Sequence, residues 1–218
     1  MINWLKIETV LLDMDGTLLD LRFDNYFWQT VVPECFAKKN DLSLEQALEQ
    51  LLPIFKAQEG LLNWYCLDYW SKELNLDVVQ LKHDMREQVT VLPHTRDFLQ
   101  ALKLSGKRCV LVTNAHRDSL RIKMQQTGLA EFFDAIVSSH DLGYPKEHQG
   151  FWRALAKLEA FKKENTVLVD DSLSVLKAAD EFGVQYLIAI TQPDSTQPPR
   201  MIHEFAAVND LSEIKPAG

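Results

Sequence analysis

The chain has 218 residues, of which 46% are hydrophobic, enough for one core domain and a smaller insert, and no disordered or collagen-like bias appears. A formal net charge of -8 excludes a broad face for a phosphate backbone, which needs clustered Lys and Arg, so no nucleic-acid polymer is expected as a partner. Charge interrupts every long apolar run before it reaches spanning length, and residues 1–8 hold no signal-peptide core, so no membrane partner is expected and the protein reads as cytoplasmic.

Residues 5–14 form the first predicted strand. Its apolar run Val10-Leu11-Leu12 ends in two aspartates one residue apart, Asp13 and Asp15, followed by the turn pair Gly16-Thr17. Strand alternation would send both carboxylates the same way. Like charges held that close either share a proton or bind a hard cation, and magnesium suits carboxylate and carbonyl oxygens. Capping of the following turn by the same aspartates is the plainer alternative.

The pattern then turns helical, over 24–36, 43–58, 61–73 and 77–89, with no strand between. Ser43 and Gln46 fit a capping box, and Pro53 is expected to kink or split its helix. So many successive helices exceed what one crossover needs. They read as an inserted all-helical cap over 20–91, in an α/β core made of 1–19 and 92–218. Most of the aromatics here must be core. Trp28 and Trp64 are candidates to stack on a planar ring, and the neighbouring Asn25 and Asn63 to hydrogen-bond a base edge.

From residue 92 strand and helix alternate. Helix 94–104 is stopped by Gly106, and strand 108–112 runs into Thr113-Asn114-Ala115, where a hydroxyl and the next amide would bind a phosphoryl oxygen without adding charge. A helix cap would use the same residues. Helix 118–126 closes at Gly128, with His116 assigned to its beginning, and 132–137 is a turn and strand. Lys146 lies in the loop Gly143-Tyr144-Pro145-Lys146 before helix 147–159, on a stem long enough to reach the strand ends. Strand 166–169 ends in Asp170-Asp171, with Ser172 a possible cap of helix 174–182. Strand 184–190, a Pro-rich surface loop over 192–200 and a weakly helical tail complete the chain. Cys35, Cys66 and Cys109 lack metal-like spacing and read as reduced packing residues.

In order and spacing, the stretches at Asp13-Met14-Asp15-Gly16-Thr17, Thr113, Lys146 and Asp170-Asp171 resemble motifs I to IV of the haloacid dehalogenase-like (HAD) phosphohydrolases. That resemblance implies a Rossmann-like parallel sheet flanked by helices, with the active residues beyond the carboxyl ends of its strands. It implies a magnesium-dependent phosphomonoester hydrolase working through an aspartyl-phosphate. In that reading Asp13 is the nucleophile and Asp15 the proton donor and acceptor. Mg2+ is held by Asp13, the Asp15 backbone carbonyl and Asp171, with Asp170 as a helper, while Thr113, Asn114 and Lys146 hold the phosphoryl oxygens. Longer matches, among them Asn63-Trp64-Tyr65-Cys66 and Thr113-Asn114-Ala115-His116, resemble the bacterial purine 5'-nucleotidases acting on GMP and IMP. These imply a purine nucleoside monophosphate as substrate. A sugar-phosphate mutase or phosphoglycolate-type phosphatase is the nearest alternative, because it differs mainly in the cap. Asp15 disfavours a haloacid dehalogenase, and the intact set of acids disfavours a silent binding module. No oligomeric state is assigned.

Overall fold

Strands that are apolar at every position need cover on both faces, which places them inside a parallel sheet. The computed structural model describes residues 2–216. In chain order it runs β1 (Thr9–Leu12), α1 (Arg22–Tyr26), α2 (Val32–Lys39), α3 (Leu44–Gln58), α4 (Leu67–Leu74), α5 (Val78–Asp84), α6 (Thr95–Leu104), β2 (Arg108–Thr113) and α7 (Arg117–Thr127). Then follow β3 (Ala135–Ser138), α8 (Ser139–Leu142), α9 (Gln149–Glu159), β4 (Thr166–Asp170), α10 (Leu173–Phe182), β5 (Tyr186–Ile190) and β6 (Ala206–Val208). The strands form one parallel sheet in the order β3-β2-β1-β4-β5-β6. Leu12 is level with Leu111 on one side and Val169 on the other, so β1, β2 and β4 end together and release their next residues into one space.

Alternation divides the sheet's side chains between two cores. Val10, Leu12, Leu111 and Val169 face one layer with α6, and Leu11, Val110, Val112 and Leu168 face the other with α9 and α10. A third cluster, including Phe27, Leu51, Leu67, Trp70 and Val78, belongs to the helical block alone. The chain leaves the sheet and returns to it at paired residues. Leu19 bridges Val91, the Asp20 amide donates to the Thr90 carbonyl at 3.0 Å, and the Leu92 amide donates to Leu18 at 2.9 Å.

Several elements differ from expectation for identifiable reasons. The predicted strand 5–14 is ordered as a strand only over Thr9–Leu12. Pro53 does not split α3, which continues to Gln58. Pro53 is exposed, so the Glu49 carbonyl deprived of a partner can turn to water. The Ser43–Gln46 capping box is present, with Gln46 N donating to Ser43 Oγ at 3.2 Å and Ser43 N to Gln46 Oε1 at 2.9 Å. Helix 24–36 contains a π turn, Phe27–Val31, just before Pro33, whose missing N–H would leave a regular ladder broken. Helix 61–73 is two pieces: a 3-10 turn Leu62–Tyr65, then α4, separated where Cys66 turns extended and its Sγ accepts from Tyr69 N.

The tail is not a weak helix. It supplies β6, which continues the sheet beside β5, then a 3-10 turn Leu211–Ile214; its last two residues lie outside the described residues. A three-residue edge strand is too short to leave a period in sequence. The loop 192–200 is exposed only in its second half; Pro193 and Asp194 are buried against the site. Ser172 stands at the start of α10 without capping it; Asp170 Oδ1 accepts from the Ser172 amide instead, at 2.9 Å. No helix among the described residues is long and apolar enough to cross a membrane.

Candidate active site

Because β1, β2 and β4 stop at one level, the residues after them meet. Asp13 follows β1, Thr113 ends β2, and Asp170 and Asp171 close β4. Lys146 arrives from the loop before α9. Its Nζ donates to Asp13 Oδ1, to Asp170 Oδ2 at 2.7 Å and to the Val112 carbonyl at 3.2 Å. The lysine's own backbone is fixed, its amide donating to Asn114 Oδ1 at 2.8 Å and its carbonyl accepting from Trp152 Nε1 at 2.7 Å. Thr113 Oγ1 accepts from the Ala115 amide at 3.0 Å, which orients the hydroxyl at the strand end.

Carboxylate oxygens of Asp13, Asp170 and Asp171 all lie within 4.8 Å of one another, a hard-donor set of the kind that holds an oxygen-seeking cation. Burial pushes the Asp13 carboxyl up to about 7, with the Asp170 charge adding to the rise and Lys146 opposing it. Asp171 is also raised, by burial first and then by Asp170 and Asp13. The cluster therefore carries more negative charge than its single ammonium balances. Asp170 has both oxygens engaged, one by Lys146 and one by the Ser172 amide. Asp171 gives its backbone carbonyl to Arg200 at 2.7 Å, and its carboxylate accepts from no protein donor among the described residues. It is thus the acid with lone pairs to offer.

Gly16 makes this closeness possible. Its φ is +82°, and a Cβ there would stand 2.8 Å from Asp171 Cγ and from Pro193 Cβ.

Asp15, past the end of strand pairing at Leu12, lines the same cavity as Asp13 and lies near enough for the Asp13 charge to raise it, though it is not in the Asp13–Asp170–Asp171 group. Its Oδ1 accepts from Lys123 Nζ at 2.6 Å. Lys123 also donates to Asp24 Oδ2 at 2.5 Å, and Lys82 donates to Asp24 Oδ1 at 2.6 Å. This buried chain of alternating charge joins the sheet's α7 to α1 and α5 of the helical block. Burial is the main force raising Asp15 to about 6, helped by Asp24 and Asp13 and opposed by Lys123. Burial alone would raise Asp24 too, but Lys123 and Lys82 outweigh it and hold the group at about 2.

One cavity of about 760 Å³ connects these groups to the helical block. Asp13, Asp15, Thr113, Asn114, Lys146, Asp170 and Asp171 line one part, and Trp28, Phe55, Trp64 and Trp70 line another. The four rings brace one another. Trp28 meets Phe55 edge-on at 6.2 Å between centroids, Phe55 meets Trp70 at 5.1 Å, and Trp64 meets Phe55 at 6.4 Å. Asn25 lines the cavity, its amide spent on Asp194 Oδ2 at 2.7 Å. Asn63 does not line it. The Leu62–Tyr65 turn presents Trp64 and Tyr65 to the cavity and leaves Asn63 outside, where its amide donates to Gln58 at 3.2 Å. Tyr65 OH instead donates to Glu147 Oε1 at 2.7 Å, and Asn114 Nδ2 donates to the other oxygen of the same carboxylate at 3.0 Å.

Sequence reasoning missed Lys123, Asp24, Lys82, Phe55 and Glu147. No signal for Lys123 lay in the sequence: its burial on α7 beside Ser119 and Thr127 is a product of the fold.

The haloacid dehalogenase-like hydrolase family model matches residues 7–183. The chain belongs to the haloacid dehalogenase-like hydrolases. It is 43% identical to GMP/IMP nucleotidase YrfG of Escherichia coli (strain K12), over 99% of this chain and 97% of that one. The fold of this HAD-like hydrolase superimposes with a TM-score of 0.80 on the crystal structure of a HAD phosphatase from Thermococcus onnurineus, at 21% identity over 95% of this chain and 96% of that one. A TM-score of 0.63 relates it to the putative HAD-hydrolase YfnB from Bacillus subtilis, described as bound to magnesium and showing interdomain movement, at 16% identity over 95% and 96% of the two chains.

Proposed function

We propose that this HAD-like hydrolase releases phosphate from purine nucleoside monophosphates such as GMP and IMP, with Mg2+ as its cation and Asp13 as nucleophile. The observation that carries this reading is a single cavity with a carboxylate and lysine cluster in one part and a tryptophan-rich wall in another, in a chain 43% identical over 99% of its length to a GMP/IMP nucleotidase. About 760 Å³ is ample for a nucleotide.

In this mechanism Asp13 attacks phosphorus in line and the P–O bond to the nucleoside breaks, leaving an aspartyl-phosphate. Asp13, Asp171 and the Asp15 backbone carbonyl would hold Mg2+, which would supply charge neutralisation between carboxylate and phosphate. Asp170 supports it by holding Lys146. The Lys146 ammonium, the Thr113 hydroxyl and the Asn114 amide hold phosphoryl oxygens as charge shifts among them. Asp15 gives its proton to the departing oxygen, then takes one from the water that hydrolyses the intermediate. A carboxyl held at about 6 can do both near neutrality. Residues 20–91 act as a cap that covers the leaving group, with 1–19 and 92–218 as the core domain. Trp28 and Trp64 stack near the purine, and Asn25 lies close to it.

A panel of phosphomonoesters assayed with and without Mg2+ tests this. GMP and IMP should lead in kcat/KM, ahead of pyrimidine nucleotides and sugar phosphates. Equal or faster turnover of a sugar phosphate or phosphoglycolate overturns the substrate reading. Asp13→Asn should cut kcat by roughly 10⁴-fold or more while thermal melting shows an intact fold.

A further inference from the structure

Outside the cavity's acids, a second group of ligating atoms gathers where the helical block meets the sheet. We infer that Cys66, His116 and His140 form a zinc site that clamps the helical block onto the sheet. The Cys66 Sγ and a ring nitrogen from each histidine lie within 4.8 Å of one another. Cys66 and Asp68 come from the beginning of α4, His116 from the loop after β2, and His140 from α8. Distant segments therefore supply the donors, which explains why spacing along the chain carried no metal signal.

The donors suit zinc. Thiolate with two imidazoles is a borderline-soft set that Mg2+ does not favour, and it leaves a fourth tetrahedral position for water. His140 Nε2 is buried and has no hydrogen-bond partner, although an unpaired buried nitrogen is costly unless something uses its lone pair. Asp68 Oδ2 stands 3.5 Å from His116 Nε2. Asp68 groups with His116 and Asp118 and not with Cys66 and His140, so it stands at the edge of the site. The His116 Nδ1 faces Asp118 Oδ2 at 3.7 Å. Nδ1 also accepts from the Asp118 amide at 3.4 Å, which orients the imidazole at the start of α7. Cys66 gives its thiol proton to solvent as the bond forms. The Asp68 side chain is 75% exposed, which leaves the metal a path in.

Cys66 follows Tyr65, whose hydroxyl already reaches Glu147 of the sheet domain. A metal at the next residue holds the same segment in place by a bond with a much slower release than one hydrogen bond. Zinc should therefore act as a brake on any turnover that requires the block to lift, a consequence that rests on the cap reading above; the binding itself does not.

The test uses Co2+ as a spectroscopic stand-in, added to the full chain with Mg2+ in excess so that the Asp13 cluster is occupied. A near-ultraviolet thiolate-to-cobalt band with tetrahedral d–d absorption at one ion per chain is expected, and Zn2+ should displace it. Cys66→Ser should lose the thiolate band, and His140→Ala should lose the tetrahedral pattern. Circular dichroism and melting without Co2+ or Zn2+ establish that each variant folds. In turnover assays Zn2+ should slow the native chain, while Cys66→Ser keeps its rate. Absence of the band in the native chain, or its survival in Cys66→Ser, overturns the site. Equal zinc inhibition of the native chain and Cys66→Ser overturns the clamp. Because the spectra need no substrate, failure of the purine reading leaves them unaffected.

Discussion

Lys146 and Lys123 invite comparison, because each is almost wholly buried, at 2% and 1% exposure, and each is gripped by two aspartates. Lys146 sits at the shared end of β1, β2 and β4, with a backbone carbonyl as its third partner and the space beside Asp13 in front of it. Lys123 projects from the middle of α7 and stands behind Asp15. In the proposed mechanism one ammonium meets the charge of the substrate; the other holds Asp15, the proposed proton carrier, and ties it, through Asp24 and Lys82, to the helical block. Similar buried ion clusters thus differ by what stands at their open side. Burial raises the cost of breaking either one, and both border the cavity, the first through Lys146 itself and the second through Asp15, Asp24 and Lys82.

Lys146→Met should show the largest difference. Loss of a donor aimed at transferring charge lowers kcat by about 10²- to 10³-fold. It also leaves Asp13 and Asp170 facing each other, costing about 3–5 kcal/mol of stability, of which Mg2+ should restore a part. Steady-state kinetics and urea melts with and without Mg2+ measure both effects. A variant with native kcat would erase the distinction between the two lysines.

Lys123→Met should be nearly as destabilising but milder in kcat, and its signature is in pH. Lys123 holds the Asp15 carboxyl down against burial, so its removal raises that carboxyl above about 6. Asp15 then stays protonated to higher pH, and the whole kcat profile should move toward alkali. An unmoved profile with lowered stability would reduce Lys123 to a packing role.

Smaller again is the effect of Asp24→Asn on acid stability. Asp24 is held at about 2 against an ordinary 3.8, so its contribution is fully present above pH 4 and is lost as pH falls toward 2. That contribution is on the order of 2 kcal/mol. Urea melts at successive pH values should show a shallower acid limb in the variant, and a limb of native steepness would assign the acid sensitivity elsewhere.

Lys146 was legible in sequence and Lys123 was not, for a physical reason. The strand-terminal acids, Thr113 and the loop lysine follow from one rule, that parallel strands deliver residues past their carboxyl ends in register, and the family resemblance supplied the order. The structure gathers Asp13, Thr113, Asn114, Lys146, Asp170 and Asp171 as that rule requires. Contacts within the helical block follow no such rule. Which face of a short helix turns inward depends on its neighbours, and so Asn63 faced outward while Phe55 entered the cavity. The Cys66, His116 and His140 cluster was unreadable for the same reason, since no two of its members share an element. Asp15 follows Asp13 into the cavity, but its partner Lys123 comes from α7, which no local pattern reveals.

The pairing of Leu19 with Val91 has a consequence for how such chains can diversify. Since departure and return are neighbours held by main-chain bonds, the intervening helices hang from the sheet like a cassette on two adjacent threads. A different cassette spliced at those threads would leave the register of every sheet strand untouched. New leaving groups could then be explored by exchange of one segment while the reactive acids keep their places.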